Sequence, residues 1–374
     1  MRSTARRFRV SLLTVQRWVQ RADNLPLDLV DWSDRPDTPG VVANRTPTDI
    51  EEEILALREK LRKESDLGEY GAEAIRSELI KQGYTDVPSA RTINRILERR
   101  GVFDGRRRVR RNPPPWGWYL PLVAEGLAEL DQFDVTSGFV IEGGTEIETL
   151  NGISLHGALV GSWPHTAIDA KFVARVLTEH WRAFGCPAYA QFDNDTRFQG
   201  PHQYKGVVSR VMRLCLSLGV TPVFAPPRET GFQAAVESFN NRWQQKVWER
   251  FHHDSPDDLK VRSDRYVAAA RAKWALRQEG APERHPIPKD WDLDLQARPK
   301  GMLVFLRRTD GAGQVHMLGH VIKVQEHWVH RLVRAGVDLD AGRIKFYSLR
   351  RRDPSQQDLL ITVPYELPNR VFRG

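Results

Sequence analysis

The stretch APPRETGFQAAVESFNNRWQQKVWERF, Ala225–Phe251, decides the reading of the whole chain. It predicts a strand end, a turn, and then a helix over 231–251. At roughly 100° per residue, Val236, Trp243, Val247 and Phe251 fall on one arc, with Phe239 at its edge. That arc is a buried stripe. Arg242, Lys246 and Arg250 share a second arc, roughly opposite Glu237. Glu237 borders the apolar stripe, beside Asn241, Gln244 and Trp248. A carboxylate there needs a partner, because burying an unpaired charge is costly. Either it pairs with an Arg, or it joins other acids at a site.

Two earlier acids stand in matching places. Asp193 follows PAYAQF (187–192), a short apolar run with β character that predicts a buried strand. Acids at strand ends in α/β proteins point into the crevice where ligands bind. Asp193-Asn194-Asp195 also suits a plain turn, since these side chains hydrogen-bond their own backbone. In AELDQFDVT, Ala128–Thr136, Asp131 and Asp134 lie three apart. On a strand they face opposite ways, so at most one joins a site, and composition does not choose between them.

The order Asp…Asp-Asn…Glu resembles the catalytic core of retroviral-type integrases and the related Asp-Asp-Glu transposases of bacterial insertion sequences. Gln132-Phe133-Asp134-Val135-Thr136 is similar to their first strand, which carries the first Asp. Phe192-Asp193-Asn194-Asp195-Thr196-Arg197-Phe198 is similar to their Ser-Asp-Asn-Gly-Ser-Glu-Phe motif. Gly219-Val220-Thr221, Pro226-Pro227, Gln233 and Val236-Glu237-Ser238-Phe239-Asn240 follow their closing motif. The resemblance spans about Leu127 to Phe251 and selects Asp134 over Asp131. It implies a ribonuclease-H-like α/β core, with Asp134, Asp193 and Glu237 as catalytic residues holding two Mg²⁺ or Mn²⁺ ions. It further implies cleavage and strand transfer of double-stranded DNA for a mobile element, by a homo-oligomer. There are departures: Asp195 replaces the usual Gly, Ala234 and Ala235 stand near the usual Asn-Gly, and Gln244 occupies a place where many relatives carry Lys or Arg. The interval from Asp193 to Glu237 is also longer than usual, and an insertion around 199–208 would absorb the difference. Two rival readings are a DNA-binding regulator or assembly subunit that has lost catalysis, and a nuclease that cuts without joining.

The 374 residues exceed one typical domain. Net charge is +8, unevenly placed: residues 1–111 carry 23 Lys/Arg against 18 Asp/Glu, and residues 300–374 carry 13 against 7. The middle is therefore slightly acidic. Basic ends around such a centre suit arms that hold phosphates and a core that holds cations. Cys186 and Cys215 lack zinc-ligand spacing and are expected to be buried and reduced. No apolar run approaches a membrane span and no signal peptide is recognised, so a cytoplasmic, nucleoid-associated place with no membrane partner is expected.

Along the chain, residues 1–22 have helix-turn-helix spacing. Ser11 is a natural N-cap, and Thr14, Gln16, Arg17 and Gln20 would face a major groove. The usual first helix of such a module is not recognised, and either a misplaced start or a truncated copy is expected. An amphipathic pair without a DNA role has the same pattern. A linker follows to residue 46. Residues 45–101 predict three short helices, the last basic through Arg91, Arg95, Arg99 and Arg100, and look like a second helix-turn-helix. Residues 102–118 form a basic, Pro-rich linker whose Arg106, Arg107 and Arg108 could track a phosphate backbone, as could Arg242 and Lys246. The core is expected over 119–275, with antiparallel strands first and alternating α and β after. Pro286, Pro288 and Pro299 predict another linker. Residues 300–374 predict short strands near 302–306, 316–323, 343–349 and 359–363, closing into a separate small β-barrel.

Overall fold

Serine hydroxyls start two of the helices at the head of the chain. In the computed structural model, which describes residues 1–23, 25–33, 46–102, 116–201, 205–351, 353–369 and 372, α1 (Arg2–Phe8) ends on Arg9 in the left-handed region. α2 (Leu12–Ala22) begins at Ser11, whose Oγ accepts the Thr14 N–H at 3.0 Å. α3 (Thr48–Glu64) and α4 (Ala72–Lys81) follow. α5 (Ala90–Arg99) repeats the device, Ser89 Oγ accepting the Thr92 N–H at 3.2 Å. The chain divides into two units, Met1–Ala56 and Leu57–Gly374. Most of the linker expected before residue 46 lies outside the described residues, as do residues 103–115 and the expected phosphate contacts Arg106, Arg107 and Arg108. Trp118, at the end of that second expected linker, is buried in the core.

A short helix, α6 (Pro121–Ala124), leads into β1 (Leu130–Ile141), β2 (Thr145–Ser154) and β3 (Val160–His165), an antiparallel meander. α7 (Ala170–Phe184), β4 (Tyr189–Phe192), α8 (Thr196–Gln199), α9 (Arg210–Ser217) and β5 (Thr221–Phe224) continue in alternation. β4 runs parallel to β1, and β5 parallel to β4. The strand order β5-β4-β1-β2-β3 is the mixed sheet of the ribonuclease-H-like arrangement. β3 ends the sheet, which is where its Pro164 belongs, since proline cannot donate to a neighbouring strand. α10 (Ala234–Trp243), α11 (Pro256–Lys273) and α12 (Ala275–Glu279) come next.

Alternation along the strands sorts the core onto two faces. On one face Phe133, Phe192, Phe224 and Phe305 form an aromatic ladder across β1, β4, β5 and the strand beyond, with ring centroids 5.8, 6.1 and 5.0 Å apart. α7 and α9 cover it through Leu177, Trp181, Leu214 and Cys215. Gly152, paired with Phe133, gives the ladder room: a Cβ there would lie 2.5 Å from the Phe133 ring. On the other face Ile147 and Ile153 of β2 pack beneath Val236, Phe239 and Trp243 of α10 and Val267 of α11.

The last third of the chain departs from expectation. β6 (Met302–Arg308), β7 (Gln314–Met317), β8 (His320–Lys323), β9 (Leu332–Asp338), β10 (Arg343–Leu349) and β11 (Leu359–Pro364) do not make a separate closed barrel. β6 lies parallel to β5, and β9, β10 and β11 extend the same sheet to nine strands, while β7 and β8 form a two-stranded ribbon. The reason lies in the alternation within β6. Leu303 and Phe305 join the ladder face, and Val304 and Leu306 join Val223 and Trp118 on the other. A strand apolar on both faces belongs inside a sheet. The expected linker around Pro286 is also a built segment. Cys186 and His285 exchange backbone hydrogen bonds at 2.7 and 3.1 Å, and Arg277 donates to the carbonyls of Leu155 and His156.

Sheet continuity predicts a single unfolding event for the core and the C-terminal strands. Phe305→Ala should cost about 3–5 kcal/mol and lower one shared transition in urea, followed by tryptophan fluorescence and far-UV circular dichroism together. Two separate transitions would mean that the C-terminal strands fold on their own.

Candidate active site

β1 and β4 carry the same tripeptide, Gln-Phe-Asp, at 132–134 and 191–193. The parallel register pairs Asp131 with Ala190 and Gln132 with Gln191. One step on, Phe133 stacks with Phe192, and one further Asp134 comes level with Asp193, just past the end of β4. Gln132 Nε2 donates to Gln191 Oε1 at 2.9 Å and to the Phe232 carbonyl at 3.0 Å. Its Oε1 accepts the Val236 N–H at 3.2 Å. Tyr119, also buried, donates its hydroxyl to Gln191 Oε1 at 2.5 Å. This buried amide pair seats the first turn of α10 on β1. One turn on, Asn240 Nδ2 donates to Asp134 Oδ2 at 2.7 Å.

The opposite faces of β1 separate its two acids. Asp131 is buried on the ladder side, where Arg284 donates to both its oxygens at 2.8 and 2.7 Å and Trp181 Nε1 donates at 3.1 Å. Burial alone would raise its pKa. The Arg284 charge and hydrogen bonds, with His180 and Trp181 helping, override that and hold it below the usual carboxylate range. Asp131 is thus one half of a buried ion pair. Asp134 has no ion-pair partner among the described residues. Burial first and the neighbouring Asp193 second push its pKa from 3.8 up to about 6; the Asn240 bond opposes this and Glu237 adds a smaller push. Asp193 is raised too, by burial and by Asp195, against the Asp195 N–H and the charge of Arg197.

Two half-buried carboxylates side by side, both raised first by burial and then by a neighbouring acid, fit a hard divalent cation, which prefers oxygen ligands. Asn240 Oδ1, a buried oxygen with no hydrogen-bond partner among the described residues, lies in the same group. Glu237 is exposed in the first turn of α10 and near enough for its charge to reach Asp134. Among the described residues, no three His, Cys, Asp or Glu side chains are gathered closely enough to hold a metal ion. The structure therefore brings Asp134 and Asp193 together and leaves Glu237 at their margin.

Other expected contacts are divided. Gln16, Arg17, Arg91, Arg95 and Arg242 are exposed, while Thr14 is half-buried with its hydroxyl 2.7 Å from Ser11 Oγ. Lys246 does not belong with the free cations. Its Nζ donates to the Gly68 carbonyl at 3.0 Å and lies over Tyr70. Beside it Arg250 donates to the carbonyls of Arg62, Lys63 and Ser65. A helix end leaves its last carbonyls unpaired; Arg250 caps α3 there, while Lys246 holds the loop just past it. The predicted helix over 231–251 starts only at Ala234 and opens into a π turn over Gln244–Trp248. That turn shifts the register assumed for the Glu237 side of the helix. Asp195, the departure from the resembled motif, caps α8. The Gln132–Gln191 clamp is not among the expected site residues, although the repeated Gln-Phe-Asp is a visible signal for it.

No family model matches this sequence, and no curated protein matches it. Among solved structures the chain is similar to one in the simian T-cell lymphotropic virus intasome with the PP2A regulatory subunit B56 gamma. That match has 12% identity and a TM-score of 0.33, covering 76% of this chain and 94% of that one. It is also similar to the HTLV-2 integrase catalytic core domain with magnesium (12% identity, TM-score 0.29, 42% and 87% covered). A third likeness is to the BIV integrase catalytic core domain (17% identity, TM-score 0.28, 38% and 81% covered). None of these three is a bacterial insertion-sequence transposase. No helix among the described residues is long and apolar enough to cross a membrane.

Two outcomes test this site. An acid whose folded pKa is raised binds its proton more tightly when folded, so its contribution to stability is present below about pH 4 and lost as pH rises through about 6. In chelator, the wild type should therefore lose stability across that window, and Asp134→Asn should flatten the loss, measured by urea unfolding at each pH. Lys246→Met should cost about 1 kcal/mol of stability through the lost hydrogen bond to the Gly68 carbonyl while leaving DNA affinity unchanged in a filter-binding assay.

Proposed function

We propose that this protein is a DNA recombinase that cleaves strands and joins them, a transposase or integrase serving a mobile element of the bacterial type. The observation that carries this reading is the level placement of Asp134, within β1, and Asp193, just past the end of the adjacent parallel β4, with Asn240 of α10 tied to the first. Asp134 and Asp193 would hold a first Mg²⁺ or Mn²⁺, and Glu237 would complete a two-ion site as α10 meets DNA. Divalent cations there would stabilise negative charge on the phosphate and favour an oxygen nucleophile. The chain's own residues do the rest: Asn240 orients Asp134, the Gln132–Gln191 clamp holds α10 in register, and exposed Arg242 lies on the same helix for a phosphate. No Tyr or Ser nucleophile is assigned. In the N-terminal half, Gln16 and Arg17 on α2 and Arg91 and Arg95 on α5 would read or grip double-stranded DNA as two helix-turn-helix modules. A homo-oligomer would bring two ends together.

The exposed position of Glu237 favours one rival, a DNA-binding regulator that keeps the fold without catalysis. Strand transfer with the full chain, Mg²⁺ or Mn²⁺, and DNA bearing the flanking ends separates them. Asp134→Asn, Asp193→Asn and Glu237→Gln should each reduce cutting by about a thousandfold, a loss of about 4 kcal/mol of transition-state stabilisation. Folded Asp131→Asn should still cut. Wild type that binds the ends yet neither cuts nor joins them supports the regulator. Cutting without joining identifies a nuclease.

A further inference from the structure

We propose that Arg197, held between Asp195 and Glu148, is a positioning residue that presents Asp193 to a bound cation. Asp193 Oδ1 accepts the Asp195 N–H at 3.0 Å. Among the described residues its Oδ2 accepts no hydrogen bond, so that oxygen is the one left for a ligand. The orientation of Asp193 then depends on how firmly Asp195 is held. Asp195 Oδ1 accepts the Arg197 N–H at 2.8 Å and its Nε at 3.0 Å, and Oδ2 accepts Nη2 at 2.8 Å. Arg197 Nη1 donates to Glu148 Oε1 at 2.7 Å. Glu148 Oε2 accepts the Ile168 N–H, just ahead of α7, at 3.1 Å. An unbroken series of bonds therefore runs from the start of α7, through β2, to the acid at the end of β4.

Three features give this series more than a surface role. The Arg197, Asp195 and Glu148 side chains are only 23, 28 and 27% exposed, so their charges are poorly screened. The Arg197 fork grips one carboxylate with two nitrogens, a geometry that fixes direction as well as distance. Its charge also reaches Asp193 and favours the ionised form that a cation requires. The motif resembled here has Gly and Glu at the places of Asp195 and Arg197. An acid at 197 would repel both Glu148 and Asp195, and Gly at 195 would remove the cap and the fork's target.

The inference rests on Asp134 and Asp193 being a cation site. Its test uses the full chain with Mn²⁺ as the probe and two readouts: thermal stabilisation by Mn²⁺, and cutting of end DNA against Mn²⁺ concentration. Arg197→Met should raise the half-saturating Mn²⁺ concentration about tenfold in both, with the rate at saturating Mn²⁺ nearly kept, as for residues that orient a ligand from behind. Arg197→Lys should recover part of the loss. A residue that only supports the fold would lower the melting temperature without moving half-saturation. Should Arg197→Met fail to fold, Glu148→Gln decides, because it touches neither Asp193 nor Asp195. Half-saturation within about twofold of wild type in the folded variant, beside an active wild type, overturns the relay alone. A wild type that neither binds Mn²⁺ nor cuts DNA removes the proposed function and the relay with it.

Discussion

The parallel pairing of β1 with β4 is the constraint on which everything else depends. Gln132 bonds Gln191, Phe133 stacks on Phe192, and Asp134 lies level with Asp193. The first two contacts hold the register that the third needs. A slip of one residue would turn every side chain of a strand to the other face. Asp134 would then point into the aromatic ladder and Asp131 toward α10. The buried amides make such a slip costly, because each would lose its partner while buried. The acids themselves repel, so the pair is held together by its neighbours and not by its own attraction.

The same sheet gives its acids opposite lives. On the ladder face Asp131 is buried with Arg284, a cation supplied by a segment 153 residues away. On the α10 face Asp134 meets another acid and an amide, and its pKa rises. Chemistry can be built on the second arrangement because its charge remains unsatisfied. The first arrangement is complete and serves the fold. It also ties the strap around His285 to the centre of the sheet, so the segment read as a linker is part of the core.

The C-terminal strands reach the site without a barrel. Arg307 of β6 is buried and donates to the Ala225 carbonyl, the same oxygen that accepts Asn194 Nδ2. Burial lowers its pKa to about 9, and no carboxylate pairs with it among the described residues. Arg308 pairs with Glu229, and Arg351 donates to the Thr230 carbonyl, so the loop between β5 and α10 is held from β6 and from the end of β10. The path into the helix that carries Glu237 and Asn240 is thus set by residues far along the chain.

Local pattern was enough for much of this. Strand alternation separated Asp131 from Asp134, the run before Asp193 marked a strand end, and Ser11 and Ser89 marked helix starts, because these signals act over a few residues. The motif order pointed to the mixed core sheet and to three acids, of which the fold sets Asp134 and Asp193 side by side and Glu237 at their margin. Tertiary structure alone decided the rest. Lys246 reads as a free cation until the loop after α3 presents it with the Gly68 carbonyl and the Tyr70 ring. β6 reads as one strand of a barrel until Phe224 offers Phe305 a place on the ladder. Glu237 lies where the held loop before α10 starts the helix, and no pattern of spacing contains that start. Each of these outcomes depends on a partner remote in sequence, and one-dimensional periodicity carries no information about which distant surface will be there to meet it.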